Sequence, residues 1–434
     1  MDKMADVLGR AGAWCGQNKY LSAIKNAFQN FMPLTIAGAI GVLWCNVLVN
    51  DQTGLGLFFK PIMALDFLNP AFQAVNFCTI SCITVGITLG IAQEIGVWNM
   101  GAERAGYIPG LVGLAAWLSV TNTSHMVDGA KEAFTGVAGN ELGATGLFTG
   151  MIIGVLSVEL FCFFEKQDAL KIKMPEQVPP GVARAFEVLV PATITLIITA
   201  CIGSACYNLT GLYLNDVIKN GIQGPLGAVG ATIPGVMIIY LVIMLFWLVG
   251  IHGNNMLSAV KEALFTPLAL ENVEKFNKGE KPTNIINMYA LQMWGEFGGS
   301  GVTIGLVIAI MIFGKREDNK AIASLSLVPG LFNINETVTF GIPMVLNPIL
   351  GIPFVFACLV TILVGYVLTV IGFCPVACLT VPWTTPPIVF GFLACGANVM
   401  GAVTQAILIV VSTVIYVPFL IAYEKYQNKQ AAEA

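Results

Sequence analysis

Phe332-Asn333-Ile334-Asn335-Glu336-Thr337, followed by Phe340-Gly341-Ile342-Pro343, places a carboxylate beside amides inside a chain made mostly of membrane-length apolar runs. A charged side chain near the bilayer centre costs roughly 2.5–3.5 kcal/mol even on the lenient insertion scale. Glu336, flanked by Asn, Gly and Pro, is therefore expected to face protein or a water-filled cavity, as irregular backbone at membrane depth must. The stretch reads as the centre of a polar binding site.

The surrounding composition sets the class. Of 434 residues, 56% are hydrophobic and 11% charged, with a mean hydropathy of +0.79, which marks an all-α polytopic membrane protein. A helix crossing about 30 Å of hydrocarbon needs roughly 17–25 residues. Candidate spans lie at 31–49, 72–95, 106–122, 146–164, 186–208, 228–250, 296–313, 351–373 and 399–422. The apolar stretches 328–348 and 374–395 are too broken by Gly, Pro and Asn to be plain spans. Together these predict about ten transmembrane helices, plus re-entrant hairpins and interfacial amphipathic helices.

Residues 1–30 carry Lys3, Arg10, Lys19 and Lys25 and lack a short apolar core with a small-residue cleavage site, so they are not a signal peptide and are expected in the cytoplasm. An even number of spans then puts Arg104, the cluster Lys166, Lys171, Lys173 and Arg184, and the tail with Lys425 and Lys429 on the same side, as the positive-inside rule asks. Lys60, Lys131 and Lys219 fall outside. Simple alternation after 296–313 would also put Lys315, Arg316 and Lys320 outside. A re-entrant hairpin beside that basic turn restores parity, and transporters build their sites from such broken segments. A miscounted weak span is the alternative.

Residues 167–184 are charged and proline-containing and read as a boundary. They divide an N-terminal interface or scaffold domain, 1–185 with about five spans, from a C-terminal transport domain, 186–434. The first half has intramembrane carboxylates only at Glu94 and Glu159, both near span ends. Nearly all the unusual residues lie in the second half: Trp247, His252, Asn254, Asn255, Glu296, Asn333, Asn335, Glu336 and Trp383.

Several function classes drop out. There is no Walker A loop and no Gly-x-Ser-x-Gly elbow. A net charge of −4 without a basic stripe leaves no nucleic-acid footprint. Eleven cysteines lie mostly in apolar segments and read as small hydrophobes; Cys374 and Cys378, four apart, are in reach of one another on a helix but read as packing residues. With two histidines and no clustered thiolates, neither a metal site nor a cofactor is expected. A membrane cavity with hydrogen-bonding groups remains, suited to a polar, uncharged ligand.

Trp247-Leu248-Val249-Gly250-Ile251-His252-Gly253-Asn254-Asn255 is the second polar constellation. Gly250 and Gly253 permit the dihedrals of a helix break, and His252 donates from one ring nitrogen while accepting at the other, which suits a hydroxyl. A lone histidine at a helix end is otherwise a cap. Trp383, in Pro382-Trp383-Thr384-Thr385-Pro386-Pro387, offers a flat apolar face for a sugar ring or sits in an interfacial aromatic belt.

These residues bring a family into view. The chain resembles the IIC membrane component of the bacterial phosphoenolpyruvate-dependent sugar phosphotransferase system, in its lactose, cellobiose and N,N'-diacetylchitobiose branch. Matching elements are Ala23-Ile24-Lys25-Asn26-Ala27-Phe28, Met32-Pro33-Leu34-Thr35-Ile36-Ala37-Gly38, Gly250-Ile251-His252-Gly253, Gly298-Gly299-Ser300-Gly301, Asn333-Ile334-Asn335-Glu336, Asn347-Pro348 and Pro382-Trp383-Thr384. They cover nearly the whole chain in the family's order.

The resemblance implies a homodimeric permease in the bacterial inner membrane, with both termini in the cytoplasm. Its transport domain would carry a β-linked disaccharide by alternating access. It also implies phosphorylation of the arriving sugar by a phosphocysteine on a separate IIB protein, since no soluble domain follows before Ala434. By that analogy Glu336 and His252 form the catalytic pair, Trp383 stacks on a ring, and Asn333, Asn335, Asn254, Asn255, Glu296 and Trp247 contact sugar. Thr337 stands where proline is common, and Glu296 where an apolar residue is expected. Glu296 either contacts sugar or caps a hairpin, so the sugar's identity stays open. The rival readings are a proton- or sodium-coupled symporter with Glu336 and His252 as ion relay, and a non-transporting membrane scaffold or receptor.

Overall fold

A computed structural model describes residues 10–14, 17–51, 55–125, 134–175, 177–342 and 344–433. Lys3, Cys15, Lys131 and Pro343 lie outside the described residues. Those described are helical apart from connections and one short antiparallel ribbon that pairs Ser124 with Thr135 and His125 with Phe134.

In lipid, each spanning segment must satisfy its own backbone hydrogen bonds. Five unbroken helices are long and apolar enough to do so across a membrane: Lys19–Leu48, Ala144–Glu165, Pro180–Thr210, Gly351–Val370 and Val399–Glu433. Three helix pairs, each bent at a short break, raise the number to as many as eight among the described residues: Lys60–Ser81 with Ile83–Met100, Leu214–Ala228 with Ile233–Leu248, and Met288–Val302 with Ile304–Phe313. Ile108–Val120 is apolar but has only 13 residues. The expected count of about ten thus exceeds what helix length and composition supply.

Two compact units emerge, one built mainly from Ala39–Ala74 and Val229–Ala434, the other from Gln17–Gly38 and Val75–Ala228. The division does not fall at 185/186. Pro180–Thr210, which opens the expected second half, packs instead on Ile108–Val120 and Ala144–Glu165. A Cβ on Gly203 would lie 3.1 Å from Val120 Cα, so glycine lets those backbones close.

Within the unit formed by 17–38 and 75–228, helices Ile83–Met100, Ile108–Val120 and Ala144–Glu165 bury Ile87, Ile91, Ile95 and Trp117. Charges at the helix ends are partnered. Asn26 donates to Glu94 at 2.9 Å, Lys19 pairs with Glu159 at 2.5 Å, and Arg104 and Arg184 both hold Glu165, at 2.8 and 2.9 Å.

The other unit has a core of Tyr240, Trp294, Phe297, Phe354 and Tyr416. Its basic turn is anchored: the Lys315 and Arg316 N–H groups donate to Glu424 at 2.8 and 3.3 Å, and Arg316 Nη1 donates to Asn428 at 2.7 Å. The turn therefore lies at the same end of Val399–Glu433 as Lys425 and Lys429. The chain on either side of this turn is broken: Met288–Val302 meets Ile304–Phe313 at a 59° bend, and Glu317–Leu331 is followed by the short helix Glu336–Gly341. Cys374 and Cys378 do not stack along a helix, since the chain between them is irregular; Cys374 Sγ instead lies 3.9 Å from Cys395 Sγ.

Candidate functional site

The first wall of the site is the break after Ile233–Leu248. Gly250 has φ +81°, and His252 caps the single turn Gly253–Met256, its Nδ1 accepting the Asn255 N–H at 3.2 Å. A Cβ on Gly253 would press into the Ile243 carbonyl, so only glycine fits. Because Nδ1 accepts, the neutral ring carries its proton on Nε2. His252 is thus a cap and also presents a donor. Trp247 stands behind it, 2% exposed, with ring centroids 4.4 Å apart.

The second wall is the glycine turn 298–301, where Gly298, Gly299 and Gly301 have φ of +67°, +86° and +76°. A Cβ on Gly299 would come within 2.6 Å of the Asn335 side chain. That closeness lets Asn335 Nδ2 donate to the Ser300 carbonyl at 2.8 Å, while Asn254 Nδ2 donates to Ser300 Oγ at 2.9 Å.

Asn333, at φ +63°, ties three segments together. Its Oδ1 accepts the Gly298 N–H at 2.6 Å, and its Nδ2 donates to the carbonyls of Trp383 and Thr385 at 2.5 and 3.1 Å. Asparagine is among the few residues that tolerate this left-handed conformation. Its amide is spent on backbone, so it shapes the site.

Glu336 opens the short helix Glu336–Gly341 and brings Oε1 to 4.0 Å from His252 Nε2. That distance is too long for a hydrogen bond, yet a hydroxyl oxygen about 2.8 Å from both atoms fits beside the pair. Glu296 follows Met288–Gly295; its carbonyl accepts the Gly299 N–H at 3.1 Å, closing the turn. Its carboxylate pairs with the buried Lys261 and accepts the Tyr240 hydroxyl at 2.7 Å. Glu296 therefore closes the turn through its backbone, while its carboxylate is held by Lys261 and Tyr240.

A cavity of about 560 Å³ joins these groups, within the roughly 300–1,000 Å³ range of small-molecule sites. His252, Asn254, Asn255, Glu296, Asn333, Asn335, Glu336 and Trp383 all line it; Trp247 does not. Gln292, Ser300 and Gln405 line it as well, unanticipated from sequence. Gln405, 1% exposed, accepts the N–H groups of Ile388 and Gly391 at 2.7 and 2.8 Å and so fixes the segment following Trp383. An amide inside the apolar run 399–422 was the available signal. Lys261 gave none, because beside Glu262 it reads as part of a solvated helix face.

Apolar helices around a polar, carboxylate-bearing cavity define a membrane-integral permease. The chain belongs to the phosphotransferase system EIIC family, whose model matches residues 25–358. It is 33% identical to the oligo-beta-mannoside-specific EIIC component of Bacillus subtilis (strain 168), over 98% of this chain and 94% of that one. To the cellobiose-specific EIIC component of Lactococcus lactis subsp. lactis (strain IL1403) it is 29% identical, over 98% of each. Its fold matches the crystal structure of the transporter ChbC, the IIC component from the N,N'-diacetylchitobiose-specific phosphotransferase system, with a TM-score of 0.88, 29% identity and 97% of each chain covered.

Proposed function

We propose that this permease binds a β-linked disaccharide in the cavity beside Glu336, carries it inward by alternating access, and presents one hydroxyl for phosphorylation by a phosphorylated IIB protein. The observation that carries the reading is the His252–Glu336 pair, 4.0 Å apart on the wall of a cavity that Trp383 also lines. The specificities of the relatives, for oligo-β-mannosides, cellobiose and diacetylchitobiose, support a β-linked sugar.

Sugar hydroxyls are poor nucleophiles, and phosphoryl transfer depends chiefly on alignment and charge stabilisation. Glu336 accepts the hydroxyl proton as the new O–P bond forms. The S–P bond of the IIB phosphocysteine breaks, and its sulfur leaves as thiolate. The His252 Nε2–H donates to the acceptor oxygen or to a transferring phosphoryl oxygen. Trp383, 44% exposed, offers its ring face to a pyranose. Asn254, Asn255, Asn335 and Glu296 supply hydrogen-bonding groups around the sugar, and Trp247 braces His252. The functional unit is a homodimer in the bacterial inner membrane with both termini cytoplasmic, its 17–38 and 75–228 unit serving as scaffold.

Liposomes holding the purified protein, loaded inside with phosphorylated IIB and given labelled cellobiose, β-mannobiose or diacetylchitobiose outside, test this. Sugar phosphate should accumulate inside only with phosphorylated IIB. Unmodified sugar accumulating in response to a pH or sodium gradient, whether or not IIB is present, would show an ion-coupled symporter instead.

A further inference from the structure

A second cleft, of about 690 Å³, lies in the unit formed by 17–38 and 75–228, lined by Arg104, Asp168, Lys171, Lys173, Arg184 and Glu187 among others. We propose that it binds the phosphate group of an anionic phospholipid. Its four cations face Asp168, Glu187 and, buried behind them, Glu165, which leaves one positive charge in excess among the described residues.

The donors are not all used. Lys173 Nζ and Arg104 Nη1 make no hydrogen bond among the described residues. Arg184 Nη2 meets only the Met100 sulfur, at 3.9 Å, and the buried Arg184 Nε has no partner. An incoming phosphate accepts from such guanidinium and ammonium groups in charge-assisted bonds. The cleft also sits at the start of the 31-residue helix Pro180–Thr210, whose dipole favours an anion there.

A phosphate ester is the shared chemistry, and the surroundings point to lipid as its source. The cleft lies where the candidate spans Ala144–Glu165 and Pro180–Thr210 meet their connection, and the ends of spans are where a chain meets lipid headgroups. Ile172 and Met174 also line the cleft, and Ile172 is exposed, an apolar edge for an acyl chain. Basic pockets at span ends hold anionic headgroups by this combination.

Native mass spectrometry of the detergent-purified protein tests the proposal, with added phosphatidylglycerol, phosphatidylcholine or glycerol 3-phosphate. Phosphatidylglycerol should bind roughly tenfold more tightly than phosphatidylcholine, and K171Q/K173Q should remove about that tenfold. If the double variant does not fold, K173E carries the test, because the Lys173 ammonium makes no hydrogen bond to lose. Equal binding of the two lipids, or phosphatidylglycerol binding unchanged in these variants, would overturn it. So would glycerol 3-phosphate binding as tightly as lipid, or loss of phosphorylated-IIB docking in variants whose lipid binding is intact.

Discussion

His252 Nε2 and Glu336 Oε1 stand 4.0 Å apart, one carried by a broken span and the other by the first residue of a single short helix. The Asn255 N–H already occupies His252 Nδ1, so donor and acceptor face the cavity as a complementary pair. A hydroxyl between them donates to the carboxylate and accepts from the imidazole. His252→Ala is expected to slow sugar phosphorylation roughly 10²-fold, the scale for losing one positioned donor. Sugar affinity should fall by less, about tenfold or below, because the change spares Trp383 and the amides. Single-turnover phosphorylation and equilibrium binding separate the two effects.

Lys261 and Glu296 form a buried ion pair, their side chains 8% and 18% exposed. Lys261→Met leaves the Glu296 carboxylate without its cation and is expected to cost about 3–5 kcal/mol, seen as a large drop in the melting temperature of the detergent-solubilised protein. Adding Glu296→Gln should recover much of that loss, since the buried charge is gone. Two single-variant losses that simply add would contradict the coupling.

Trp383 lines the cavity, and its backbone carbonyl is held by Asn333. Trp383→Ala should therefore weaken sugar binding roughly five- to tenfold, and Trp383→Phe should restore most of it. Calorimetric titration reads both.

The site was legible because polar residues are costly in an apolar chain. Glu336, Asn335, His252 and Trp383 each stood out from their neighbours, and all line one cavity. Trp247 stood out for the same reason but packs behind His252; an indole beside a polar motif does not reveal which way it faces. Lys261 and Glu262 were hidden because adjacent charges on a helix read as a solvated face, whereas Lys261 is buried and Glu262 lines the cavity. The membrane class followed from composition alone. The division of the chain did not, because the charged connection before Pro180–Thr210 marks only a gap between two apolar helices, whereas the packing partner of that helix is set by close approaches such as Gly203 against Val120.

Arg316 bonded to Asn428 places the basic turn and the C-terminal end of Val399–Glu433 on one side. Cysteines introduced at Lys320 and Asn428, in a background lacking the native cysteines, should react with an impermeant maleimide from the same face of the membrane. Labelling from opposite faces would contradict the arrangement.

In the proposed reaction Glu336 serves the chemistry more than the capture of sugar. Glu336→Gln keeps the size and one acceptor of the side chain but cannot take up the hydroxyl proton. The decisive measurement reconstitutes this variant with phosphorylated IIB and records both sugar binding and sugar-phosphate formation. Binding within a few-fold of wild type, with phosphorylation reduced by at least about 10²-fold, is the predicted result. Phosphorylation at the wild-type rate would contradict it.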